Sequence, residues 1–341
     1  MRKSIVIILA LIVVFACSVQ AKTAKGGKPQ WLQNPKLVYP ENRYLTAVGS
    51  GDTRSAAEDM AAGNLAKIFE ANITADQTVS ERYYELMSAE KSEYEQQTNI
   101  RKNVNVRSQQ TLFNVQFAES YTDNLGQVHV LAYIDRLKTA GIYEEKIADN
   151  STRIKYFVKQ AQASSDILQK YAFYSAANVI IARNQTLIQQ LAIISPVSKD
   201  VLELNYNPQE IKTQFTQTAQ KIKFQIEIIN DRENKITSLV KEILTDMGFV
   251  VGTPPLLKAS GSLEIVPTDL KRQNLIFVRY ELQLEIIDNN FQTLVTINDK
   301  GREGHVSETE AEARAVMTIE NKIKRELRDK LNSYFDRMIL K

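Results

Sequence analysis

The chain has 341 residues, 43% of them hydrophobic and 24% charged, which suits ordinary buried cores and excludes a disordered chain or a coiled-coil rod. Lys and Arg number 43 against 40 Asp and Glu, leaving +3, a balance too even for nucleic-acid binding as the main task. One cysteine and two histidines exclude an intrachain disulfide framework, a Cys-rich zinc or iron–sulfur site and a multi-His metal centre, so no metal or other cofactor is expected.

The first 21 residues read as an export signal. Arg2 and Lys3 are followed by an unbroken apolar run, Ile5 to Ala16. As a helix this run spans ~18 Å against ~30 Å of bilayer hydrocarbon, which fits a signal-peptide h-region and not a permanent span. Two cleavage sites compete. Val19-Gln20-Ala21 suits ordinary signal peptidase and leaves Lys22 first. Val14-Phe15-Ala16-Cys17 resembles a bacterial lipobox, with Phe15 bulkier than the usual small residue; there Cys17 is acylated and becomes residue one. The sole cysteine stands where a lipobox needs it, so lipidation at Cys17 is the favoured reading. Ser18 rather than Asp follows it, which points a lipidated chain to the outer membrane of a diderm bacterium, palmitate included among its acyl chains. Residues 22–28 (KTAKGGK) form a short basic tether.

Residues 29–141 predict an α+β domain. Pro29-Gln30-Trp31 opens it, Tyr44 to Val48 is a strand, and Gly49-Ser50-Gly51 reads as a turn. A helix follows from Arg54 to Glu70, with Ala57, Ala61, Leu65 and Ile68 on one face and Ser55 with Glu58 as a capping box. A strand is expected near Ile73–Val79, then a long amphipathic helix over 81–110. Phe113, Val115 and Phe117 alternate, and after the turn Thr122–Gly126 so do Val128, Val130, Ala132 and Ile134, which makes a β-hairpin. Residues 142–219 predict a helical connector or hairpin, its apolar stripe running through Ala177, Ile180, Ile181, Asn184, Leu187 and Leu191, with Pro196 and Pro208 punctuating its end.

Residues 220–341 predict β-α-β-β-β-α, an antiparallel sheet covered by two helices. Ile222 to Ile228 alternate. Ile236 to Met247 form a helix stopped by Gly248. A short strand lies near Gly261–Pro267, Ile276 to Ile286 alternate, Asp288-Asn289-Asn290 turns, and Phe291–Ile297 is the last strand. Ser307 and Glu310 cap a final helix striped by Val316, Ile319, Ile323, Leu327, Leu331, Phe335 and Met338. The fold class is therefore α+β: two small antiparallel-sheet and helix domains joined by a helical middle.

Pro29-x-Trp31, Tyr44-x-x-Ala47-Val48-Gly49-x-Gly51, the alanine-rich helix and the Phe113–Ile134 hairpin together resemble the Lpp-twenty lipoprotein family, some of whose members are outer-membrane lipoproteins and some flagellar basal-body proteins. The likeness covers about a third of the chain. It implies a small α+β domain tethered to the outer membrane and carries over one functional position, Cys17. The last third resembles, as a fold analogy, the α+β modules of envelope-assembly lipoproteins.

Motifs for chemistry are sparse. A dinucleotide fingerprint would need a small residue three positions after Gly51, where Arg54 stands. His129 in the hairpin and His305 in a loop over 300–306 read as structural residues. Glu308, Glu310 and Glu312 suit the positive end of a helix dipole. Lys322, Lys324, Arg325 and Arg328 suit a solvated face paired as Glu320–Lys324 and Arg325–Asp329. Trp31 reads as core or as a membrane-interface residue. No catalytic residue is assigned. The expected protein is not an enzyme but an envelope lipoprotein with a structural or assembly role, held to the membrane by its N-terminal lipid and meeting envelope or flagellar-associated proteins. A soluble periplasmic binding module cleaved after Ala21 is the alternative.

Overall fold

Small side chains open the fold. In a computed structural model that describes residues 28–73, 77–90, 112–272 and 275–340, two short helices, α1 (Gln30–Gln33) and α2 (Pro35–Val38), lead into strand β1 (Tyr44–Gly51) and helix α3 (Arg54–Glu70). Strands β2 (Gln116–Thr122) and β3 (Val128–Asp135) complete an antiparallel sheet in the order β1-β3-β2. Thr53, in extended conformation, caps α3 by accepting from Ala56 N at 3.2 Å. The cap therefore lies two residues before the expected Ser55, and Glu58 instead pairs with Arg54 at 2.8 Å.

Gly49 and Gly51 belong to β1 and do not form the expected turn. A Cβ on Gly49 would stand 2.1 Å from Ala61 N and 2.4 Å from Ala57 O. Glycine is needed because α3 lies with its backbone against the strand.

Of the strand expected at Ile73–Val79, residues 77–79 belong to helix α4 (Gln77–Glu90) and Ile73 to no strand. The helix expected over 81–110 is present as far as Glu90; residues 91–111 lie outside the described residues. Asp135 ends the hairpin and caps helix α5 (Arg136–Ala163), accepting from Lys138 N at 3.2 Å. Helix α6 (Ile167–Ile194) returns antiparallel, capped by Asp166. The two prolines expected to punctuate the end of this stretch begin helices: Pro196 opens α7 (Pro196–Asp200) and Pro208 opens α8 (Pro208–Ala219). At the first helical position the missing N–H of proline costs no hydrogen bond.

The second sheet is built from β4 (Lys223–Ile229), β5 (Val250–Val251), β6 (Leu257–Arg272), β7 (Leu275–Asp288) and β8 (Thr293–His305), in the order β5-β4-β6-β7-β8. Between β4 and β5 the chain makes a 3-10 turn, Arg232–Asn234, and helix α9 (Lys235–Asp246). Gly248, at φ +89°, then ends the helix as expected. The sheet is mixed, not wholly antiparallel: β4 runs parallel to both β5 and β6, while β6, β7 and β8 are antiparallel. The helix between β4 and β5 permits that parallel pairing, and the alternation of Ile222–Ile228 carries no information on strand direction. Two strands are longer than their apolar patterns: β6 begins at Leu257, and β8 runs through Lys300–His305, which had read as a loop. The last helix, α10 (Glu308–Ile339), buries Ala311, Ala315, Ile319, Ile323, Leu327, Leu331 and Phe335 completely. Each large aliphatic or aromatic member of that stripe contributes roughly 1.5–3 kcal/mol by leaving water.

Helix α6 takes part in all three apolar cores. Leu187, Leu191 and Ile194 pack with the first sheet, α3 and α5. Phe173, Ala177 and Ile180 pack with α4, α5 and α8. Tyr171 and Ala172 join the second sheet, α9 and α10. Tyr171 stands 4.6 Å from Phe335 and 4.8 Å from Phe249, ring centre to ring centre.

Candidate functional site

Cys17, the one assigned functional position, lies outside the described residues. The chain enters the structure at Lys28, and Trp31 is buried at 5% exposure, so the indole belongs to the core of the first module. Gly49 and Gly51 offer no phosphate cradle, because α3 occupies the space beside them.

Several of the charged candidates pair with neighbours. His129 Nε2 lies 3.2 Å from Asp123 Oδ2, and the imidazole stacks on Tyr121. Asp123 Oδ1 also accepts from Leu125 N at 2.9 Å and Gln127 N at 3.0 Å. The His129 ring, then those backbone donors, hold the Asp123 carboxyl below its ordinary range. The pair closes the hairpin turn. His305 ends β8 and faces Glu310, which also accepts from the Ser307 hydroxyl at 3.3 Å. Glu312 meets Arg232 at 3.5 Å. Among the described residues no group of His, Cys, Asp and Glu is placed to hold a metal ion.

On α10 the ion pairs converge on Glu326 and do not follow the expected pairs. Lys322 stands 2.8 Å away, Lys330 3.2 Å and Arg325 3.3 Å. Hydrogen bonding, led by Lys322, lowers the Glu326 carboxyl to about 2. Arg328 reaches across to Asp246 at 3.4 Å.

Buried polar links hold the helices in register, and sequence reasoning missed them. Tyr83 on α4 donates to Asn150 Oδ1 at 2.9 Å. Asn150 donates to Asn184 Oδ1 at 2.8 Å, and Asn184 donates to the Tyr206 oxygen at 3.2 Å. The signal was an asparagine at position 184 inside an otherwise apolar stripe. Arg82 binds Asp336 through two contacts, 3.1 and 2.7 Å, across 254 residues of sequence. Arg183, 4% exposed, lies over the rings of Tyr83 and Tyr84. Burial pushes the Tyr143 and Tyr171 hydroxyls up, which keeps both protonated near neutral pH.

Two shallow grooves mark the surface. One, between α5 and α8, is lined by Lys155, Lys159, Tyr206 and Glu210. The other lies where β4 stops short of β6, beside Asp231, Arg232, Leu263 and Val316. Neither gathers a nucleophile with a positioned base. Among the described residues no helix is long and apolar enough to cross a membrane.

The molecule is thus an α+β protein with two separate sheets and a shared helical core. The LPP20 lipoprotein family matches residues 29–135, from the segment before α1 to the last residue of β3. The N-terminal third is therefore similar to these lipoproteins, as its motifs indicated, and supports a lipoprotein of the cell envelope. Among curated proteins none matches the chain. A secreted protein, HP1454, from the human pathogen Helicobacter pylori aligns over 86% of this chain and 96% of its own at 12% identity, with a TM-score of 0.38. A minor lipoprotein from Acinetobacter baumannii aligns over 35% and 90% at 15% identity, with a TM-score of 0.20. Both scores are low.

Proposed function

We propose that the chain is an outer-membrane lipoprotein, acylated at Cys17, with a structural or assembly role in the envelope. It acts through protein–protein contacts and without catalysis. The match of residues 29–135 to the LPP20 lipoproteins carries this reading. It agrees with a lone cysteine at the end of the apolar signal. The paired state of His129, His305, Glu310 and Glu312 supports a protein that works through surfaces. Partners among flagellar-associated proteins are a special case of the same role. Several lipid chains would anchor the protein firmly where one would be marginal, at ~0.8 kcal/mol per buried methylene.

Fractionation of cells making the Cys17→Ala chain tests the anchor. The unaltered protein is expected in outer-membrane fractions and the variant in soluble ones; an unchanged distribution would contradict the proposal. Val19-Gln20-Ala21 favours a second reading, a soluble periplasmic binding module, which predicts soluble protein in both cases.

A further inference from the structure

We propose that the end of the molecule where the chain emerges at Lys28 is a lipid-facing surface that rests on the membrane holding the anchor. The proposal rests on the lipoprotein reading and deepens it.

Three segments meet at this end. Arg136, the first residue of α5, donates from Nε to Glu41 O at 2.8 Å and from Nη1 to Ile193 O and Ile194 O, both at 2.7 Å. Its backbone N–H donates to Arg43 O at 2.9 Å. One guanidinium thus joins the turn after α2, the start of α5 and the end of α6.

The apolar side chains flanking these joints face water. Leu137 is 82% exposed, Val197 75%, Val201 72% and Leu37 63%. Val201 N donates to Val197 O at 3.2 Å, so the two valines share one side of α7. A single exposed aliphatic residue is ordinary. Four in or next to the segments that one guanidinium ties together call for an occupant.

The surrounding surface carries both signs of charge, with lysines among them. Lys36, Lys138 and Lys199 are exposed in the same three segments. Lys36 and Lys199 have only surface partners, Glu41 at 2.8 Å and Asp200 at 3.0 Å. Lysine stems can lie on apolar surface while their ammonium groups reach the headgroups.

The position of the chain selects the occupant. Lys28 lies two residues before α1, and Leu37 follows in α2. Ten residues separate Cys17 from Lys28, a reach of at most ~35 Å. This end therefore stays close to the bilayer once Cys17 is acylated. A second copy of the chain could also cover four apolar tips, but nothing would then require them beside the tether.

The test uses the full lipidated chain in vesicles of phosphatidylethanolamine and phosphatidylglycerol. An environment-sensitive dye is attached at Val201→Cys. The comparison position is Phe291→Cys in the β7–β8 turn, where the native side chain is 84% exposed. Acylation leaves Cys17 without a free thiol, so the dye reports the introduced site alone. Brominated lipid is expected to quench the dye at 201 several-fold more than at 291, with a blue shift at 201. Equal quenching at both positions in vesicle-bound protein would overturn the lipid face and leave the anchor intact. A blue shift at 201 that grows with protein concentration in detergent, without a bilayer, would also overturn it, by showing a second copy on the surface. Failure of the unlabelled chain to float with vesicles would refute the lipoprotein reading itself and this proposal with it.

Discussion

The two sheets meet their helices in opposite ways. On the first, Ala57 and Ala61 bring the backbone of α3 against Gly49, and closeness replaces side-chain bulk. On the second, α10 covers the sheet with Ile319, Ile323, Leu327, Leu331 and Phe335, and wide apolar area does the work. The first contact tolerates no added atom; the second tolerates no removed one. The seat of α3 on β1 thus depends on backbone fit, while that of α10 on the second sheet depends on side-chain area.

Removal of one large group from α10 should show the greatest effect. Phe335 is fully buried against Tyr171 and Phe249. Phe335→Ala is expected to cost about 3–5 kcal/mol, read by chemical denaturation. A cost under about 1 kcal/mol would show that Phe335 does not join α6 to the second sheet. Addition of one methyl to the first sheet comes next. Gly49→Ala should cost about 3 kcal/mol, because the new Cβ meets the backbone of α3 and not a movable side chain. Gly63, on the same helix, has nothing within 4 Å of a built Cβ. Gly63→Ala should therefore stabilise by about 0.5–1 kcal/mol through helix propensity, and the opposite signs, one in β1 under α3 and one on α3 itself, isolate the close contact.

The smallest expected effect concerns acid. Glu326 is lowered from its ordinary value of 4.5 to about 2. A carboxylate lowered on folding contributes stability that is complete above its unfolded pKa and disappears as pH falls through the folded one. The melting temperature should therefore decline between about pH 4.5 and pH 2. Glu326→Gln should flatten part of that decline while Leu327 and Leu331 keep α10 seated.

Periodicity made the second half legible. The stripe from Ile319 to Phe335, the helix Ile236–Met247 and the strand Ile276–Ile286 stand as their spacing indicates. Strand direction and length were not legible, because β4 pairs parallel and β6 and β8 extend through polar residues such as Lys258 and Arg302. The glycines were misread as a turn because local sequence does not show a helix pressing on a strand. Asn150, Asn184, Arg82 and Asp336 became partners only through tertiary packing, since the Arg82–Asp336 pair spans 254 residues. The exposed apolar residues Leu37, Leu137, Val197 and Val201 were hidden for the same reason: three distant segments supply them. The candidate anchor, Cys17, rests on its position in the sequence and lies outside the described residues.

The central claim is that the protein acts from a lipid-anchored position through its surfaces. Intact-mass measurement of the mature chain tests the anchor most directly. The account predicts a chain beginning at Cys17 and carrying acyl groups. An unmodified chain beginning at Lys22 would contradict it.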